Sequence, residues 1–344
     1  MVDAVLEEEL EKKDVLLELK NLKTSFRVRD DYFAAVDDVT LSVNEQEVVA
    51  IVGESGCGKS ALAYSIMRLH TRAKIEGMIE FKQEDIVSAS AARLTQLRGK
   101  EMGMIFQDSL SALNPLIRIG DQIAEAITLH DRRITRSALR DRVMELLDKV
   151  GIHNASSVYI QYPHQLSGGM RQRVVIAMAI ANNPDLLIAD EPTTALDVTI
   201  QAQILDLIRE LRDDLAAGVI LITHDLGVVA EMADRVAVMY AGEIVEFGDV
   251  YQVMENPMHP YTRSLLKSMP SAITSKDEKL HTIKGVVPSL PQLPRVGCRF
   301  KSRIDWIPES AHEEHPTLKE VETGHFVRCS CYKHFYFVEE GEDL

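Results

Sequence analysis

The run Gly53-Glu54-Ser55-Gly56-Cys57-Gly58-Lys59-Ser60 carries the strongest chemical signal in the chain. It fits G-x-x-x-x-G-K-[ST], in which glycines let the backbone curl so that its amides face a phosphate. Lys59 would reach the β- and γ-phosphates of a nucleoside triphosphate, and Ser60 would ligate Mg²⁺. A second, acidic station is needed to hold that metal. Asp190 and Glu191, directly after the apolar residues 186–189, have the right types. Asp190 would bind Mg²⁺ through water, and Glu191 would polarise the attacking water as general base. The two stations together suit a GTPase, a kinase, a helicase or a transport ATPase.

These side chains can act only where secondary structure gathers them. Residues 15–19, 48–52, 102–106, 186–189, 219–223 and 235–239 are strand candidates. Several are apolar throughout, as in a mostly parallel sheet covered on both faces. Residues 48–52 feed straight into the phosphate motif, and a helical pattern over 61–69 follows it. The strand over 186–189 would carry Asp190 to the carboxyl edge of the sheet, beside that motif. Between residues 120 and 150, Ile123, Ile127, Val143, Leu146, Leu147 and Val150 recur at helical spacing, which predicts a small helical insertion. Past residue 256 the character changes: eight of the twelve prolines and three of the four cysteines lie there. Proline fixes φ and removes a donor, so short elements joined by turns are expected, in a separate appendage that begins near 255–270.

A length of 344 residues suggests about two domains. The charge sum, 38 basic against 53 acidic residues or −15, disfavours sequence-independent binding to nucleic acid, whose phosphates would repel the chain. No apolar run approaches the ~18 residues of a membrane span. Residues 1–13 are rich in Glu and lack the basic and apolar regions of a secretory signal. Cys57, Cys298, Cys329 and Cys331 are too few for a disulfide scaffold. A soluble, reduced, cytosolic chain is the expectation.

The segment Leu166-Ser167-Gly168-Gly169-Met170-Arg171-Gln172-Arg173 narrows the choice. It resembles the signature of the ATP-binding-cassette (ABC) family and stands just before Asp190, as it does there. The resemblance implies that Ser167, Gly168 and Gly169 sit at a helix N-terminus and grip the γ-phosphate of ATP on a partner subunit, a place where helix amides favour an anion. Met170 stands where the commonest signature has Gln, with the Ser-Gly-Gly intact. Gln107 resembles the Q-loop glutamine that contacts Mg²⁺ and water. Ala195-Leu196-Asp197 resembles the D-loop that couples two sites across a dimer, and His224 the switch histidine. Phe26, Tyr32 and Phe33 are candidates to stack on adenine, with Phe26 preferred. The resemblance runs from residue 15 to about 250. It implies an α/β fold: an ABC-type P-loop nucleotide-binding domain, with a RecA-like core plus a helical subdomain at about 108–170, and a small Pro-rich C-terminal extension. The expected boundaries are an acidic tail over 1–14, the ATPase domain over 15–255 and the extension over 256–344.

One phosphate motif and one signature make half an engine, which needs a second subunit, identical or homologous. The stretch over 191–204, Asn256-Pro-Met-His-Pro-Tyr-Thr-Arg263 and Gly297-Cys-Arg-Phe300 resemble the oligopeptide/dipeptide/nickel importer branch, closest to its D-type ATPase subunits. That resemblance implies a peripheral ATPase on the cytoplasmic face of the cell membrane, with ATP and Mg²⁺ as cofactors, driving uptake of oligopeptides or dipeptides. Its implied partners are a homologous F-type ATPase subunit, two transmembrane permease subunits and an extracytoplasmic substrate-binding protein. Residues 111–116 would face the permease's coupling helix. Import of nickel, opines or glutathione by the same engine, or a non-transport regulatory ATPase, are the alternatives. Several relatives bind an iron–sulfur cluster through four tail cysteines. Cys298 and Cys329 match the first and last, Ile304 and Ala311 stand at the middle two, and Cys331 does not restore the pattern. Clusters normally take four ligands, so two or three buried free thiols are expected in place of a cluster on Cys298 and Cys329, with a Cys298–Cys329 bridge or an adventitious metal as the alternatives.

Overall fold

A computed structural model describes residues 15–194, 196–269, 282–294 and 296–338. The expected acidic tail over 1–14 and Ala195 of the D-loop lie outside the described residues.

Strand β1 (Val15–Val28) turns tightly into β2 (Asp31–Asn44) and pairs antiparallel with it and with β4 (Ala73–Phe81). With the short β5 (Glu84–Asp85), these form a four-stranded sheet of order β2-β1-β4-β5. Leu17 and Leu19 of β1 are buried while Lys20 is exposed, the alternation of a sheet with one face covered. Sequence reading found the start of β1 but not β2 or β4, in which charged residues interrupt the apolar runs.

The second sheet holds the centre of the molecule. Its strands are β3 (Val48–Val52), β6 (Met102–Ile105), β7 (Leu186–Asp190), β8 (Gly218–Thr223), β9 (Arg235–Tyr240), β10 (Glu243–Asp249), β11 (Leu318–Glu322) and β12 (His325–Arg328). They lie in the order β11-β12-β10-β9-β3-β8-β7-β6. The five strands from β9 to β6 run parallel, and β10, β12 and β11 pair antiparallel beyond them. Every residue of β3, β6, β7 and β8 is buried, which is why those strands read as unbroken apolar runs. On one face Ile51 packs with Leu62 and Ile66 of helix Lys59–Ile66. On the other, Leu187, Ala189 and Leu221 share a core with Ile123 and Ile127 of helix Ile119–Thr128 and with Val143, Leu146 and Leu147 of helix Arg136–Lys149. The helical spacing over 120–150 is thus two helices, separated where Thr135 caps the second by accepting from Ala138 N at 3.3 Å.

Beyond helices Val250–Glu255 and Pro260–Lys267 the chain returns to the sheet. β12 pairs with β10, setting Val327 against Glu246, so residues 318–328 extend the central sheet. Proline content and composition mark this segment as different, but they carry no sign of that docking. Buried charge holds it in place. Glu246 has no exposure and accepts from Met258 N (2.7 Å), His259 N (2.9 Å) and the His325 ring (2.8 Å). Arg328 donates to Ile244 O at 2.9 Å and to Asp38 at 3.2 Å, and Arg299 pairs with Asp37 and Glu243. Satisfied in this way, buried charges cost little and fix one docking geometry.

Candidate active site

The carboxyl ends of four adjacent strands, β3, β8, β7 and β6, deliver the side chains expected to do chemistry. In open parallel sheets this edge is where ligands bind. β3 ends at Val52, and residues 53–58 turn into helix Lys59–Ile66. A Cβ on Gly53 would stand 2.2 Å from Met239 O, and one on Gly58, whose φ is +107°, 2.5 Å from Ala35 O. Both positions therefore require glycine. The ammonium of Lys59 is buried inside the loop and donates to Gly53 O (2.8 Å) and Glu54 O (3.1 Å), so it is held where phosphate oxygens would meet it. Ser55 and Gly56 form the loop's outer turn. Cys57 is buried, and burial raises its thiol pKa, which leaves it a packing residue.

Asp190 ends β7 with no solvent exposure. Its Oδ1 accepts from Ser60 Oγ at 3.2 Å, while its Oδ2 is buried without a partner. Burial pushes the pKa of Asp190 up, against the favourable hydrogen bond from Ser60. A desolvated carboxylate with a spare oxygen beside a hydroxyl has the chemistry to take a hard divalent cation. Glu191 leaves the strand at φ +47°, with its N–H bonded to Ile222 O at 2.9 Å. A left-handed non-glycine residue costs about 1 kcal/mol or more, and such strain gathers at functional sites. Here the kink sends the Glu191 side chain sideways along the sheet edge. Its Oε2 accepts from Gln107 Nε2 (2.8 Å), just past β6, and from Thr194 Oγ1 (2.9 Å); its Oε1 lies 3.5 Å from Nδ1 of His224, just past β8. The Glu191 side chain is 14% exposed and that of His224 63%, so the histidine reaches the carboxylate from the solvent side.

The remaining expected residues lie apart from this cluster. Ser167 caps helix Gly168–Ala179 by accepting from Met170 N at 3.3 Å, and Asp197 caps helix Val198–Leu215 by accepting from Ile200 N at 3.0 Å. Gly169 packs close enough to Ile200 that a Cβ would stand 2.8 Å from its Cγ2, which joins the two helix starts. Ser167, Gly168 and Asp197 are exposed, and no hydrogen bond or ion pair among the described residues joins them to residues 53–60. Phe26 opposes Phe33 across β1 and β2, and its ring meets His70 edge-on at 4.9 Å. Tyr32 is 53% exposed on the same hairpin.

Sequence reading missed what the C-terminal segment brings here. Arg303 grips Glu54 of the phosphate loop with both terminal nitrogens, at 2.6 and 3.2 Å. The Tyr261 hydroxyl accepts from Glu54 N at 2.8 Å. Thr194 was missed as well; its place three residues after Glu191 is the one local hint. Ile304 and Ala311 are buried among apolar side chains, whereas Cys331, set aside on spacing, lies with Cys298 and Cys329.

Known proteins resemble this chain in sequence and in fold. The ABC transporter family profile matches residues 36–194, and that of the oligopeptide/dipeptide transporter C-terminal region matches residues 245–305. The oligopeptide transport ATP-binding protein OppD of Lactococcus lactis subsp. cremoris (strain SK11) is 50% identical over 328 residues, covering 94% of this chain and 96% of that protein. A putative peptide import ATP-binding protein of Brucella ovis is 49% identical over 328 residues, covering 91% and 96%. Among solved structures, the dimeric ATP-binding cassette MJ0796 in a post-hydrolysis state with ADP and Pi superposes at TM-score 0.62 and 29% identity, covering 68% of this chain and 98% of that one.

Proposed function

This chain belongs to the ABC transporter family, and from that premise we propose that it is the ATP-hydrolysing subunit of a membrane importer for oligopeptides or dipeptides. The observation that carries the reading is Glu191 held by Gln107, Thr194 and His224 beside a phosphate loop, in a chain that matches peptide-import ATPases along nearly its whole length.

Lys59 and the amides of residues 53–60 bind the β- and γ-phosphates of ATP. Ser60, Asp190 and Gln107 are the residues that would hold Mg²⁺, which when bound neutralises phosphate charge. Gln107 and Thr194 both donate to Oε2 of Glu191, leaving Oε1 to take the proton of the attacking water. His224, on the solvent side of that oxygen, orients the water and contacts the γ-phosphate. Phe26 stacks on adenine. The exposed start of helix Gly168–Ala179, with Asp197 beside it, meets ATP bound by a homologous second ATPase subunit. The protein accordingly works as one half of a dimer. No helix among the described residues is long and apolar enough to cross a membrane. Two permease subunits supply that path, an extracytoplasmic binding protein delivers the peptide, and the chain docks on the cytoplasmic face.

A tagged pull-down from detergent-solubilised native membranes tests the assembly. Recovery of a second ATPase and two multi-span permeases is expected; a soluble homodimer with no membrane partner would refute transport and leave the ATPase chemistry standing.

A further inference from the structure

We propose that Cys298, His312, Cys329 and Cys331 bind a single Zn²⁺ ion, which ties together the two stretches of the C-terminal segment that dock on the rest of the protein. One ligand atom from each of the four lies within 4.8 Å of the others. All three thiols are buried, in an apolar cluster with Phe300, Ile304 and Ile307. Both ring nitrogens of His312 are buried without a hydrogen-bond partner. A neutral imidazole needs a partner for each nitrogen, so an orphaned ring facing three thiols is an unsatisfied polar group with donors already aimed at a common centre. Burial of this kind is costly unless something completes it.

The donor set selects the ion. Three sulfurs and one imidazole nitrogen make a soft, four-coordinate site of the kind that holds structural zinc. With Zn–S bonds of about 2.3 Å, the edges of a tetrahedral site are about 3.8 Å, so the donors need only a small contraction to close on one ion. A four-iron cluster would need its ligands spread around a polynuclear core. The two positions that would supply such ligands, Ile304 and Ala311, are buried and apolar. An entry path is present: a cleft of about 520 Å³ opens onto Cys298 and His312, lined also by Glu314 and by Glu309 and Glu313, which pair with Lys301 and Lys319.

The site also explains why the segment docks in one geometry. Cys298 begins the turn that carries Arg299 and Arg303, which pair with Asp37 and Glu54. Cys329 follows Arg328, which holds Asp38. One ion would therefore pin two separate stretches whose arginines clasp the phosphate-loop domain, with His312 tying down the connection between them.

The test uses the full chain, purified under reductant, stripped with a chelator and titrated with Zn²⁺ and separately with Co²⁺. One zinc per chain is expected, with a thiolate-to-cobalt charge-transfer spectrum of tetrahedral type and a rise in Tm on loading. Loss of a second-sphere partner alone weakens metal sites by about 10–100-fold, so Cys331→Ser and His312→Ala are expected to weaken binding by at least about 100-fold. ATP binding by the same variants reports whether they fold, and metal content is read independently of transport. Should they fail to fold, the wild-type cobalt spectrum and the protection of its thiols from alkylation by Zn²⁺ decide the matter. Iron with acid-labile sulfide in place of zinc, or thiols alkylated equally fast with and without Zn²⁺, would overturn the proposal.

Discussion

Replacing Arg303 with Met tests whether the C-terminal segment supports the phosphate loop. Arg303 is 4% exposed and gives Glu54 two hydrogen bonds, with further donations to Lys284 O (2.6 Å), Gly285 O (3.2 Å) and Ile283 O (3.3 Å). Met keeps an aliphatic side chain and removes the guanidinium, whose carbon lies 5.7 Å from the centroids of both the Tyr240 and the Phe300 rings. Removing one partner of a buried ion pair costs about 3–5 kcal/mol, because the other charge is left unpaired. The Glu54 side chain is 29% exposed, so water recovers part of that cost, and about 2–3 kcal/mol is expected. Denaturant unfolding should show the loss as a lower midpoint at constant m. A double-mutant cycle with Glu54→Gln should give a coupling of about 1–3 kcal/mol. ATP affinity should fall about tenfold, equivalent to about 1.4 kcal/mol, since Glu54 belongs to the loop that binds phosphate. Lys319→Ala serves as control: its pair with Glu313 is 56% and 22% exposed, and it should cost at most about 0.5 kcal/mol. Additivity of Arg303→Met and Glu54→Gln within about 0.5 kcal/mol would refute the reasoning, because the two side chains would then not act as a pair.

Glu191→Gln removes the proton acceptor while keeping the side chain's shape; steady-state assays should show kcat reduced about 10²–10⁴-fold with ATP binding retained. Near-wild-type turnover would remove Glu191 from its role. Gly58→Ala places a methyl group 2.5 Å from Ala35 O at a φ of +107°, so it should cost about 3 kcal/mol or more and abolish ATP binding, measured by unfolding and by isothermal titration. Burial pushes the His259 pKa down to about 4, from about 6.5 in the unfolded chain. The unfolded state thus binds the extra proton first as pH falls, and stability is lost between about pH 6.5 and 4, amounting to about 3 kcal/mol at the acid end. Wild type and His259→Asn should converge in stability over that window; parallel pH profiles would count against a buried neutral imidazole.

The features legible from the order of residues are local ones. The phosphate loop was legible because its glycines, Lys59 and Ser60 act through the backbone of one short turn. The central strands were legible because burial on both faces leaves an unbroken apolar run, with no alternation to misread. The split of residues 120–150 into two helices was hidden, since the apolar spacing continues across the break. β2 and β12 were hidden for another reason: their burial is decided by partners on other strands. Tertiary structure alone decided the rest. It joined Gln107 to Glu191 across 84 residues and Arg303 to Glu54 across 249, through contacts that carry no periodicity. It also set Cys298 and His312 against the Cys329-Ser-Cys331 pair, a grouping that sequence spacing does not show. A charge or a thiol in sequence is only a demand for a partner; which partner meets it is a matter of distance, and distance exists only once the sheet has brought its edges together.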